Sequence, residues 1–170
     1  MNKEMEKLEA YLQDILKKAD FDSDSKGIRS HRDEIFSAIR IIFQCGLMAR
    51  ESGLLAFDIY ANPEWYEDEI ESLESMEDAF GCEIPLKEFF QYSLGLLAFT
   101  YNPKLIAKLM IQKSLVNQYT GWQAYVVYVY LKGILAVWSA MIPEEIEVYF
   151  RTTVSEVDWQ AYDAFVNNKL

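Results

Sequence analysis

Residues 122–142 read WQAYVVYVYLKGILAVWSAMI, and the choice of structure for this stretch decides the fold. Tyr125–Leu131, rich in valine and tyrosine, has the composition of a strand. The apolar pattern continues through Ala136 and Trp138, however, which is longer than a strand needs and predicts a helix. A helix that is apolar all round has to be buried, in a core or in a bilayer. Twenty-one residues are enough to span a bilayer, but Lys132 stands at the centre and Gln123 near one end. A central lysine costs about 2.5–3.5 kcal/mol on insertion. No second span accompanies it, so the segment is expected to be the buried central helix of a soluble protein, with Lys132 reaching an edge. The competing reading makes 122–142 the anchor of a membrane-associated component of a motor or transport assembly.

Outward from this segment the chain divides by its punctuation into six to seven helices in all. Pro143 ends the apolar run and can itself start a short helix over EEIEVYF. Ser155 with Asp158 is expected to cap a last helix, in which Val157, Ala161, Ala164 and Phe165 recur at helical spacing. Upstream, Asn-Pro occurs twice, at Asn62-Pro63 and Asn102-Pro103. Proline at the first helical position loses no bond, and asparagine caps from just before it. Both dipeptides therefore predict helix starts, for PEWYEDEIESLESMEDAF and PKLIAKLMIQKSLVNQY. Pro85 is expected to open LKEFFQYSLGLLAFTY in the same way, after a stop at Gly81.

Ser30 is expected to cap a strongly apolar helix carrying Ile35, Ile39, Ile42 and Leu47 and running to about Tyr60. Gly46 and Gly53 inside it are costs of about 1 kcal/mol each, or marks of close packing. Residues 1–20 predict an amphipathic first helix from Met5, Leu8, Leu12, Ile15 and Leu16, and 21–29 an acidic loop. No stretch alternates with period two. The chain is expected to be all-α, a single-domain compact bundle with 30–170 as its helical core.

Composition narrows the function. Half of the 170 residues are apolar, 51%, which is enough to build a core without staples. The net charge of −11 opposes nucleic acid and anionic lipid alike. Cys45 and Cys82 have no CxxC or histidine context, so free thiols in a reducing, cytoplasmic compartment are expected. The N-terminal MNKEMEKLEA lacks the apolar stretch of a secretion signal.

No chemistry-bearing motif stands out. Nucleophilic triads, phosphate-binding glycine loops and dinucleotide fingerprints are missing. His31 is the single histidine and is expected on a solvated surface beside Arg32, Asp33 and Glu34. One histidine cannot supply the paired Glu-x-x-His ligands of a di-iron bundle. Asp20, Asp22 and Asp24 resemble the start of a calcium loop, but Ser25 and His31 occupy its sixth and twelfth positions. No cofactor or metal is expected, and the chain is read as not an enzyme.

From Asp58 to Glu83 there are ten carboxylates and no lysine or arginine. At the spacing of the helix expected there, Glu64, Asp68, Glu71 and Asp78 share a face, and Trp65, Leu73, Met76 and Phe80 form a separate apolar set. The acidic face is a docking surface for a partner with a basic surface, or else simply solvated.

The stretch Leu47–Tyr119 carries a further pattern. Ala49-Arg50-Glu51-Ser52-Gly53-Leu54-Leu55-Ala56-Phe57-Asp58 is followed by Asn62-Pro63 and its acidic run, then by Leu86–Phe99 with Gly95, then by Pro103. In this order the segment resembles the cytoplasmic portion of MotA, the stator subunit of the bacterial flagellar motor. The resemblance implies a helical cytoplasmic fold and a protein-binding face. That family contacts its rotor through an arginine and a glutamate on the first of these helices, and Arg50 and Asp58 take those positions. The family's membrane helices find no match here, so ion conduction is not implied. The expected function is a non-catalytic protein-interaction domain with Arg50, Asp58, Glu64, Asp68 and Glu71 at its binding face. A helical domain unrelated to the motor family is the remaining alternative.

Overall fold

The computed structural model describes residues 10, 27, 30–68, 74–154 and 158–167. The expected first helix over 1–20, the loop over 21–29 with Asp20, Asp22 and Asp24, and the Ser155 cap lie largely outside these. Eight α-helices are described: α1 Arg32–Ser52, α2 Asp58–Ala61, α3 Met76–Phe80, α4 Lys87–Phe99, α5 Pro103–Val116, α6 Trp122–Trp138, α7 Pro143–Arg151 and α8 Trp159–Asn167. Single turns of 3-10 helix occupy Leu54–Phe57 and Pro63–Trp65. No strand occurs among the described residues, so the all-α bundle is found as expected.

Helix α6 is the centre of the core. Tyr125–Leu131 is helical, and every side chain in it is buried. The helix ends at Trp138, not at Ile142. No described helix is long and apolar enough to cross a membrane, and α6 itself is a seventeen-residue helix packed in the core. Lys132 is half-buried, in keeping with a lysine at the edge of the core. Two tyrosines bring polar groups inside with partners supplied. Tyr130 Oη donates to the Pro85 carbonyl at 2.6 Å, and Tyr125 Oη to the Thr153 carbonyl at 3.0 Å. Burial pushes both phenols above their ordinary pKa.

Helix α1 lies along α6, and the approach is close. A Cβ added at Gly133 would sit 2.5 Å from Ile42 Cγ1, so only glycine fits that crossing. At Gly46 the approach of α7 is close but less strict, since an added Cβ would meet the terminal carbon Ile146 Cδ1 at 3.0 Å and that end would have to give way. Acids in the first turn, Asp33 and Glu34, and Arg50 in the last suit the helix dipole. Helix α1 starts at Arg32, one residue later than a Ser30 cap requires. His31 is half-buried rather than solvated. Its ring stacks on Trp122 at 4.3 Å, and Nδ1 lies 3.1 Å from Glu34 Oε1.

Three expected helix boundaries are corrected. The helix read to Tyr60 stops at Gly53, whose φ of 77° is open to glycine and strained for other residues. Helix α4 starts at Lys87, because Leu86 is left-handed and the Pro85 carbonyl is committed to Tyr130. The long helix read from Pro63 to Phe80 is a 3-10 turn, then a bend at Tyr66, and later the short α3 capped by Ser75. Both cysteines are free, Cys45 buried and Cys82 half-buried. Burial raises the Cys45 thiol pKa, which keeps it protonated within the core.

Candidate protein-binding surface

The surface is built on the turn that follows α1. Gly53 reverses the chain, the 3-10 turn Leu54–Phe57 buries Phe57, and α2 then presents Asp58 to the interior. Asp58 is only 7% exposed. Its Oδ1 accepts from Asn62 Nδ2 at 2.9 Å, and its Oδ2 accepts from the Tyr66 hydroxyl. These two bonds close the chain into a compact loop on which Tyr60 and Ala61 pack against the core while Glu64 and Trp65 are exposed. Gln91 Nε2 of α4 donates to the Tyr60 carbonyl at 3.1 Å and fixes the loop against that helix. Tyr60 is held above its ordinary pKa by burial and, secondarily, by Glu74.

Arg50 and Asp58 therefore do not share a helix face, which corrects the geometry expected of them. Arg50 is exposed at the C-terminal end of α1, where its Nη1 lies 3.7 Å from Glu144 Oε1 of α7. Asp58 is beneath the surface, across the Gly53 reversal. The reason is local: a glycine at positive φ ends the helix that would have aligned them. Glu64 and Asp68 are exposed as expected, but on a 3-10 turn and the turn after Tyr66 rather than on one α-helical face with Asp78. Glu71 lies outside the described residues.

The residues that sequence reasoning missed are aromatic. Trp65, sorted with the core positions Met76 and Phe80, is 61% exposed, while those two are buried. Its ring meets the edge of Phe99 at 5.8 Å, and Phe99, the last residue of α4, is itself 53% exposed. Tyr101 follows at 89% exposed. Glu64, beside Trp65 in the 3-10 turn, and Glu67 and Asp68, just after it, are exposed and form no ion pair with any described residue. Large rings left in water together, with unpaired charge beside them, have the composition of an interface core and rim. The signal available in the sequence was Phe-Thr-Tyr just ahead of Asn102-Pro103, where a helix must end and its last apolar turn has little to cover it.

The chain matches no protein-family model, no curated protein and no solved structure. The surface is accordingly read from its own chemistry. No cluster of three or more histidine, cysteine, aspartate or glutamate side chains placed to hold a metal occurs among the described residues. What the arrangement can do is bury Trp65 and Phe99 under a partner while Glu64, Glu67 and Asp68 meet its cations at the rim.

Proposed function

We propose that this chain is a non-catalytic, cytoplasmic protein-interaction domain that docks basic surfaces of protein through Trp65 and Phe99 with Glu64, Glu67 and Asp68 around them. The observation that carries this reading is the pair of large rings in mutual contact yet mostly exposed, one of them, Trp65, set within a stretch of ten carboxylates and no lysine or arginine. Aromatic anchors supply most of the energy of such an interface once desolvated, and rim charge steers the encounter. The stator resemblance belongs to the same proposal. It is supported by the order of pattern elements from Leu47 to Tyr119 and by a helical fold, and it too directs attention to protein docking. Within it Arg50 contributes from the exposed end of α1. Asp58 acts from below, by holding the turn that carries Glu64 and Trp65.

The test uses a fluorescently labelled helical peptide of alternating lysine and leucine content as a basic amphipathic probe, with binding followed by the anisotropy of the label. Trp65→Ala is expected to weaken binding about 30-fold, the effect of losing about 2 kcal/mol at an interface anchor. The melting temperature should stay where it is, since the ring covers little. Binding should also weaken as salt rises. An unchanged affinity in Trp65→Ala ends the proposal.

A further inference from the structure

The acidic turn has a counterpart elsewhere in the same chain. Between Glu88 and Glu144 the sequence has no carboxylate, and its only charged side chains are Lys104, Lys108, Lys113 and Lys132. Three of these stand on α5. Lys113 is engaged, its Nζ lying 5.6 Å from the Tyr92 ring centroid. Lys104 and Lys108 are exposed, four residues apart and so on one helix face, with the exposed Leu105 beside them. Neither makes an ion pair with any described residue.

Connectivity sets the order of these groups on the surface. Trp65 touches Phe99 at the end of α4, Tyr101 follows two residues later, and α5 begins at Pro103. Phe99 and Tyr101 therefore stand, along the chain, between the acidic turn, which reaches Phe99 through Trp65, and Lys104 and Lys108, which follow on α5. A surface with one sign of charge on one side of an apolar centre and the opposite sign on the other is its own complement. Rotation of a second copy by a half-turn about the centre sets acids against lysines twice and rings against rings. A wholly basic partner would satisfy the acids but would face Lys104 and Lys108 with charge of their own sign.

We propose that the occupant of this surface is a second copy of the chain, in a two-fold dimer that pairs Glu64 and Asp68 of each copy with Lys104 and Lys108 of the other across Trp65, Phe99 and Tyr101. The inference rests on the docking surface proposed above and names its partner.

Sedimentation equilibrium of the full chain, from low micromolar to several hundred micromolar, gives the first reading, and a monomer–dimer equilibrium is expected. Two charge-reversed chains give the second: one carries Glu64→Lys and Asp68→Lys, the other Lys104→Glu and Lys108→Glu. Each alone is expected to dimerise at least about tenfold more weakly. Mixed in equal amounts they should pair again, because every contact then joins opposite charges. Circular dichroism checks that both are folded, and Tyr101→Ser, at a position that covers almost nothing, should weaken the dimer independently. A chain that stays monomeric at every concentration overturns the proposal. So does a dimer that is indifferent to the reversals and to Tyr101→Ser, since that dimer uses another face. If the chain is monomeric yet binds the lysine–leucine peptide in a Trp65-dependent way, the dimer is wrong and the docking surface stands. If it does neither, both fall.

Discussion

Asn62-Pro63 and Asn102-Pro103 are the same dipeptide and do different things. At Asn102 the side-chain Oδ1 accepts from the backbone N–H of Lys104 at 3.1 Å and of Leu105 at 3.4 Å, and a fourteen-residue helix follows. At Asn62 no such cap forms, and the helical geometry lasts for three residues. The difference lies four residues upstream. Asp58 takes the Asn62 amide for itself and adds the Tyr66 hydroxyl, so the asparagine that should start a helix instead closes a loop. Nothing comparable competes for Asn102, which follows Tyr101 at the solvent-exposed end of α4. A local capping signal thus holds only where no buried acceptor claims the capping side chain.

The comparison breaks hardest at Asp58. Asp58→Ala leaves the Asn62 amide and the Tyr66 hydroxyl without their acceptor in a partly buried setting, where each unmet donor costs about 1–3 kcal/mol. A loss of about 2–4 kcal/mol in urea unfolding is expected, together with weaker binding at Trp65, because the loop that displays it is released. A loss below about 1 kcal/mol means these bonds do not hold the loop.

The two asparagines separate next. Asn62→Ala removes one bond to a carboxyl group and is expected to cost about 1.5 kcal/mol. Asn102→Ala removes a helix cap and is expected to cost about 1 kcal/mol. Their signatures differ more than their sizes. Native-state hydrogen exchange should show faster exchange at the start of α5 for Asn102→Ala alone, and faster exchange in α2 and the Pro63–Trp65 turn for Asn62→Ala alone. Faster exchange at α5 in both variants would mean that the two sites are coupled and the contrast is not local.

Much of the fold was legible in the sequence, and the reasons are physical. Helix α6 could be read because an apolar run of its length has few other structures open to it. Helices α5 and α7 start at Asn102-Pro103 and Pro143 because those starts depend on neighbours in sequence. Boundaries set by distant groups were not legible. Gly46 and Gly53 stand in one apolar stretch, yet the first lies against Ile146 of α7 and stays helical while the second turns the chain. The Pro85 carbonyl answers to Tyr130, forty-five residues away. At the surface, Glu64 and Asp68 could be found from charge alone. Trp65 was grouped with Leu73, Met76 and Phe80 in one apolar set by a helical spacing that its segment does not have, and its meeting with Phe99 depends on how α4 packs against α2 and its flanking turns.

The smallest expected effect lies at the far end of the acidic stretch, where a true capping signal does hold. Ser75 Oγ accepts from the Asp78 N–H at 3.1 Å and starts α3, and Lys87 Nζ at the head of α4 donates to Glu77 Oε1 at 2.7 Å. The lysine bond is the main reason that Glu77 has a lowered pKa. A carboxyl group whose pKa is lower folded than unfolded stabilises fully above the unfolded value, about 4.3, and loses that contribution as pH falls through the folded value. The pair is exposed enough for solvent to screen it, so the contribution should be a few tenths of a kcal/mol, within the range of about 0–1 for surface pairs. Lys87→Ala is therefore expected to lower stability slightly at neutral pH and to match the parent chain once the solution is well below pH 4. Urea midpoints measured at both pH values decide it. An equal deficit at both would show that Lys87 stabilises by packing its aliphatic stem, and that the charge on Glu77 contributes nothing to joining α3 to α4.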